Sequence, residues 1–214
     1  FDTDCTELAT AYFELSDDVD MDNIVFHILD GSCVDDSIPL SGELKAETYS
    51  ESFEYTENGD GTITITGFTP GTNSRGTLEI PSQIDGKTVT GIESYVLNGD
   101  YEAVMIPETI TSYLDASTFH NLNKLKSITV DEDNIDYSSV DGALFDKDKT
   151  ILRCCPRGKS GVYAIPDGVK RLNDSAFYRC GSLTELFIPA SLESDNISLQ
   201  QNFVSTCDNL ESIN

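Results

Sequence analysis

The stretch "DSAFYRCGSLTELFIP", residues 174–189, decides how this chain folds. An amphipathic helix needs apolar residues at spacings of three and four over a longer run, and a half-buried strand alternates at every second position. Neither pattern describes this stretch, because its apolar residues recur at almost every third position and the run ends at a proline. Those positions are Phe177, Cys180, Leu183, Leu186, Ile188 and Pro189.

The same spacing recurs along the chain. The segment "ASTFHNLNKLKSITV" at 116–130 aligns without a gap, and "QNFVSTCDNLESI" at 201–213 aligns with one inserted residue. Four of the five intervals between equivalent strand ends lie within or next to the 20–29-residue period of leucine-rich repeats. The fifth interval contains an insertion. The intervals are 26, 24, 35, 23 and 25 residues, between Ile80, Ile106, Val130, Ile165, Ile188 and Ile213.

A coil of this length explains the spacing. Leu186 and Ile188 alternate on a short strand and point inward, and Pro189 ends the strand pairing because it has no amide hydrogen to donate. The Ser-Ala-Phe segment returns the chain as a short helix or an irregular turn, with Phe177 in the core. A single coil cannot bury its apolar edge, so successive coils must stack. The pattern therefore predicts an α/β-type solenoid that is mainly β, with short strands and short helices or turns.

The complete pattern "IPDGVKRLNDSAFYRCGSLTELFIP" at 165–189 resembles the BspA-type leucine-rich repeats of bacterial surface proteins. The segment 134–158 is similar to the hairpin insertion that these proteins often carry, and 53–68 resembles their N-terminal hairpin, the hairpin cap of the repeats. The resemblance covers about 53–214. It implies a right-handed leucine-rich-repeat superhelix.

Residues 1–52 do not follow the repeat. We expect this part to be a small N-terminal module, or a cap that covers the first coil, with a polar linker at 41–52. The chain begins without Met and ends inside a repeat at Asn214. We therefore interpret it as a fragment that is truncated at its C-terminus.

The charge balance is strongly acidic. Lys and Arg together number 13 and Asp and Glu number 38, which gives a formal net charge of −25. Such a field repels phosphate backbones and anionic lipid surfaces, so we expect neither nucleic-acid binding nor electrostatic membrane docking. No apolar run approaches the ~20 residues of a membrane-spanning helix.

The six cysteines do not form a recognisable disulfide scaffold or zinc motif. Cys180 and Cys207 occupy positions that the repeat keeps apolar, so we expect buried free thiols there. Cys5 and Cys33 either pair with each other as a disulfide or remain free.

One stretch has a calcium-like spacing. Asp18, Asp20 and Asp22 stand at the first, third and fifth positions of an EF-hand-type loop. However, Asn23 replaces the usual turn glycine, and Leu29 at the twelfth position has no side-chain oxygen. The stretch is either half of a calcium loop or a solvated acidic turn. Apart from this calcium, we expect no cofactor.

Catalytic motifs are scarce in the sequence. Its two histidines, His27 and His120, lie beside apolar residues, and we expect structural or surface roles for both. There is no phosphate-binding loop, nucleophile elbow or HExxH motif. The sequence therefore predicts a protein that is not an enzyme.

The outward positions of successive strands offer a binding surface instead, since stacked strands form extended faces in solenoids. Two of these positions, Met105 and Phe187, carry apolar side chains although they should face solvent. Clusters of exposed apolar residues mark interaction sites. Isolated exposed apolar residues are also ordinary on protein surfaces. The candidate ligand-binding residues are Glu79, Met105, Thr129, Glu185 and Phe187.

The resemblance implies a secreted or cell-surface protein that mediates adhesion or protein–protein binding. The expected partner is a protein or a glycan of the host extracellular matrix or of another cell. The alternative is an accessory repeat module of a larger secreted enzyme, or of a dockerin-bearing protein. The flanking sequence would distinguish the two.

Overall fold

A computed structural model describes residues 52–71, 75–192 and 206–214. All of them belong to one unit of the chain, 46–214. The expectations for the N-terminal part lie outside the described residues. These are the module or cap at 1–52, the Cys5–Cys33 pair, and the calcium ligands Asp18, Asp20 and Asp22.

Short β-strands make up the regular structure of the described residues. They are β1 (Ser52–Glu57), β2 (Ile63–Thr69), β3 (Thr77–Glu79), β4 (Gln83–Ile84), β5 (Lys87–Ile92), β6 (Ala103–Ile106), β7 (Ser127–Val130), β8 (Tyr137–Val140), β9 (Ala143–Asp146), β10 (Ile151–Cys154), β11 (Gly161–Ala164), β12 (Arg171–Leu172), β13 (Leu183–Phe187) and β14 (Ser212–Ile213).

Parallel pairing between successive coils builds the solenoid. Strands β3, β6 and β7 form one parallel sheet, in which Leu78, Val104 and Ile128 stand in register. Strands β11, β13 and β14 form a second parallel sheet. At the N-terminal end, β1 and β2 form an antiparallel hairpin, and β2 pairs in parallel with β5. The predicted mainly-β leucine-rich-repeat solenoid is confirmed.

The return segments of the coils are turns, since no helix forms within 52–71, 75–192 or 206–214. In the coil at 174–189, bonds between residues three apart hold the chain, with Ala176 N donating to Asn173 O and Tyr178 N to Ser175 O. Ser175 also takes a left-handed φ of 62°, which a continuing right-handed helix does not allow. Of the two return structures expected from the sequence, the irregular turn is the one that forms.

The repeat residues fill the core as their spacing predicts. In the opening stretch, Phe177, Cys180 and Leu186 are fully buried and Leu183 is 1% exposed. Burying each large apolar side chain of this kind contributes about 1.5–3 kcal/mol. The coils therefore hold together chiefly through the apolar edges that they cover for one another.

The insertion at 134–158 contains three strands rather than the two of a hairpin. Strands β8, β9 and β10 form an antiparallel meander, and β10 continues by pairing in parallel with β12. On the other side, Ile128 N donates to Gly142 O at 2.8 Å, which joins β7 to the insertion. The insertion thus separates the two parallel sheets.

Asn134 fixes the start of the insertion. Its side chain is fully buried. Its amide nitrogen donates to Pro107 O and Ile110 O, both at 2.9 Å, and its Oδ1 accepts from Asp136 N at 3.0 Å and Tyr137 N at 2.8 Å. All four hydrogen-bonding positions of the amide are therefore used.

Replacing Asn134 by Ala should lower the free energy of unfolding by about 3 kcal/mol, because it leaves several buried backbone groups without partners. Urea denaturation of the two proteins measures the loss. Asn123→Ala is the matched control, because it removes an exposed asparagine with a single hydrogen bond from Arg157, and it should cost about 1 kcal/mol or less. An Asn134→Ala protein as stable as this control would show that the Asn134 hydrogen bonds do not stabilise the fold.

The four described cysteines, Cys154, Cys155, Cys180 and Cys207, are free. The first three are buried, as predicted for Cys180, while Cys207 is only partly buried. Burial raises the pKa of the Cys154 and Cys155 thiols well above the usual range, and it raises the pKa of Cys207 to about 11. These thiols therefore pack as small apolar groups.

In a Cys5→Ser, Cys33→Ser variant at pH 8, Cys207 should react first with a thiol reagent, because it is the most exposed of the four. The other three should react only after guanidinium is added, since burial keeps the reagent away from their sulfur atoms. Mass spectrometry of the labelled peptides reports the order. Rapid labelling of Cys154 or Cys180 in the native protein would contradict it.

Candidate functional site

The first candidate surface is the outward face of β3, β6 and β7, which we call the Met105 patch. Met105 is paired in register with Glu79 on one side and Thr129 on the other, so the three side chains form one row. The Met105 side chain is 46% exposed. The structure thus brings three of the five predicted binding residues together.

A cavity of about 170 Å³ lies along this row. Three carboxylate side chains, those of Glu79, Glu108 and Asp131, line it together with Met105 and Thr129. None of the described residues that line the cavity is a lysine or an arginine. The Met105 patch therefore combines an apolar centre with an acidic border.

The other two predicted residues lie on the outward face of β11, β13 and β14, which we call the Phe187 patch. Phe187 is 42% exposed and is in register with Ala164. Glu185 is held in place, because its Oε1 accepts from Ser212 Oγ at 3.0 Å and from Asn214 Nδ2 at 2.8 Å. Since the insertion separates the sheets, the five predicted residues form two patches.

The Phe187 patch has a further apolar member that the sequence analysis missed. Val162 is 57% exposed and is in register with Glu185. The signal for it was available in "VYAIP" at 162–166, because an inward Tyr163 on a strand requires Val162 to face outward.

A second kind of site lies on the return side of the coils, where the sequence analysis assigned His120 a structural or surface role. The Tyr95 and His120 rings meet edge to face with centroids 5.0 Å apart, and His120 stacks on Tyr178 at 5.8 Å. These rings line a cavity of about 320 Å³. Its other lining residues are Asp115, Ala116, Ser117, Asp174 and Ser175.

Arg157 fixes the protonation state of His120. One guanidinium nitrogen, Nη2, lies 2.8 Å from His120 Nδ1, and another, Nη1, donates to Asn123 Oδ1 at 3.1 Å. Because arginine only donates, His120 Nδ1 must accept, and the ring proton of the neutral imidazole lies on Nε2. Desolvation by burial, followed by the positive charges of Arg157 and Arg179, lowers the pKa of His120 below 6.5.

Two further observations concern the described residues. No group of three or more His, Cys, Asp or Glu side chains in this part of the chain could hold a metal ion. No helix within it is long and apolar enough to cross a membrane.

The His120 pKa can be read by NMR of the protein labelled with ¹⁵N at histidine, since only His27 and His120 give signals. We expect a value below 6.5, and an upward shift in Arg157→Met because one of the positive charges is removed. Because the pKa of His120 is lower in the folded protein than in the unfolded chain, the fold is most stable at pH values above the pKa of the unfolded chain. This contribution to stability is lost as the pH falls through the pKa of His120 in the folded protein.

Arg171→Met removes a guanidinium that does not act on His120 and is the control, with His27→Gln to assign the two signals. An unchanged His120 pKa in Arg157→Met would contradict the Arg157 contact.

Several solved structures of leucine-rich-repeat proteins resemble this chain. One from Eubacterium ventriosum is 22% identical, with 65% of this chain and 41% of that chain covered and a TM-score of 0.46. One from Bacteroides ovatus is 20% identical, with 75% and 45% covered and a TM-score of 0.45. A leucine-rich cell surface protein from Faecalibacterium prausnitzii is 21% identical, with 76% and 52% covered and a TM-score of 0.38. The chain thus spans about half the length of these proteins, or less.

A family model with the description "BspA type Leucine rich repeat region (6 copies)" matches residues 161–214. The match contains the 174–189 stretch and strands β11, β13 and β14. No curated protein has a sequence that matches the chain. The resemblance inferred from the residues is therefore confirmed for residues 161–214, which form a leucine-rich-repeat region of the BspA type.

Proposed function

We propose that this protein is a non-catalytic binding module of a bacterial cell surface or secretome, and that its strand face binds a protein of the host extracellular matrix or of another cell. The observation that carries the proposal is Met105, which is 46% exposed in the middle of a parallel sheet. The BspA-type repeat at 161–214 supports the surface location and the adhesive role.

The Met105 patch has the composition of a small recognition surface. An interface typically has an apolar centre and a polar rim. Here the apolar centre is the Met105 thioether, whose flexible side chain adapts to different partners, and the rim is formed by Glu79, Thr129 and Asp131.

The charges of the patch point to the chemistry of the partner. Three carboxylates surround Met105, and the whole chain has a formal net charge of −25. A protein segment with an apolar side chain between lysines or arginines is complementary to this surface. Electrostatic attraction of this kind mainly accelerates association, and added salt weakens it.

The Phe187 patch supplies a second anchor on the same kind of surface. Phe187 and Val162 are both exposed on neighbouring strands, and Glu185 beside them is held by Ser212 and Asn214. Aromatic side chains are enriched among residues that contribute most to binding. We assign Phe187 this role within the proposal.

The test is a binding screen of the protein against an array of purified extracellular-matrix proteins, followed by surface plasmon resonance on each partner found. Met105→Asp and Phe187→Asp should each weaken binding by about tenfold or more, because each places a charge where an apolar contact is made. Raising the salt concentration should slow association for wild type.

Ile135→Asp is the matched control, because Ile135 is 71% exposed but lies in the insertion rather than on either patch. It should bind like wild type. If Met105→Asp and Phe187→Asp both retain wild-type affinity for the partner, the strand face is not the binding surface.

A further inference from the structure

The cavity on the return side is built by residues of three coils. Tyr95 comes from the coil before β6, His120 from the coil before β7, and Tyr178 from the coil before β13. Its volume of about 320 Å³ is within the ~300–1,000 Å³ range of small-molecule sites. It contains none of the residues of the Met105 and Phe187 patches.

Tyr95 is held so that its ring faces the solvent. Its backbone has a left-handed φ of 68°, a conformation that is costly for a bulky residue and persists only where neighbouring contacts enforce it. Those contacts come from the next coil, since Tyr95 N donates to Ser117 O at 3.0 Å and Tyr95 O accepts from Asn121 Nδ2 at 2.7 Å. The backbone is thus fixed, while the ring remains 58% exposed.

Tyr178 forms another part of the cavity wall and is packed against two arginines. The guanidinium carbons of Arg157 and Arg179 lie 5.2 and 5.6 Å from the centre of the Tyr178 ring. Arg157 also binds His120 at Nδ1. The imidazole therefore keeps its proton on Nε2 and can donate it as a hydrogen bond from the cavity wall.

Hydroxyl and carboxylate groups complete the lining. Asp115 Oδ1 accepts from Ser117 N at 2.8 Å, which orients this carboxylate. Asp174 and Ser175 come from the coil that carries Tyr178. The guanidinium groups of Arg157 and Arg179, which pack against the Tyr178 ring, offset part of the negative charge of the two carboxylates.

We propose that this cavity binds a neutral pyranose ring, as part of a glycan. The apolar C–H face of the sugar stacks on the Tyr95 ring, since an exposed aromatic ring provides a flat apolar surface. The sugar hydroxyls donate to the carboxylates of Asp115 and Asp174 and accept from His120 Nε2–H. This site is separate from the strand face and does not depend on the function proposed for it.

A screen on an array of neutral oligosaccharides identifies the sugar, and NMR of the ¹⁵N-histidine protein locates it. The array sugars that bind should shift the His120 signal and leave the His27 signal unchanged. Tyr95→Ala and Asp174→Asn should each weaken the affinity by about tenfold or more, because they remove the stacking surface and a charge-assisted hydrogen bond.

Tyr113→Ala is the matched control, because Tyr113 is an equally exposed tyrosine that does not line the cavity. It should bind the sugar like wild type, and so should Met105→Asp, which separates this site from the strand face. Far-UV circular dichroism shows whether Tyr95→Ala is folded.

Three results would overturn the proposal. One is the absence of any bound neutral sugar on the array. Another is binding that leaves the His120 signal in place. The third is a His120 shift produced by tetramethylammonium chloride or oligolysine instead of by the sugars, which would make the cavity a cation site.

Discussion

Each coil of this protein has an apolar edge that only the next coil can cover, and the rest of the structure depends on this mutual burial. Leu78, Val104 and Ile128 stack in register along one sheet and are fully buried. The hydrogen bonds of the parallel strands set the distance between coils. At that distance, residues at equivalent positions of two stacked coils are neighbours in space. Both candidate surfaces arise in this way, one from the strands and the other from the turns.

The insertion divides the surface that the stacked strands expose to solvent. Strands β8 to β10 occupy the place between the two parallel sheets, so the outward face is divided into two patches. The return side is not divided in the same way, because His120 still stacks on Tyr178 although 58 residues separate them in the chain. Asn134 and Tyr137 connect the insertion to the preceding coil. The Tyr137 hydroxyl donates to Ser112 O at 2.6 Å and accepts from Leu114 N at 3.0 Å.

The sequence was sufficient for the architecture because the repeat spacing reports burial directly. Phe177, Cys180 and Leu186 lie in the core as their spacing indicates, and Met105 and Phe187 face outward by simple alternation. The return segments are harder to predict, since a Ser-Ala-Phe sequence suits a short helix as well as a turn. The left-handed backbone of Ser175 shows that the turn forms. The return-side cavity could not be predicted from the sequence, because its residues come from coils of unequal length. One signal was present, as His120 and Tyr178 each follow the repeat phenylalanine directly.

The buried cysteines also bear on how the protein can be handled. Cys154, Cys155 and Cys180 fill space in the core as free thiols, so the described coils contain no covalent cross-link at these positions. The assembly of this part of the chain therefore requires no oxidant, and it can proceed in a reducing cytoplasm as well as in an oxidising compartment. An expression host needs no disulfide-forming machinery to produce these repeats.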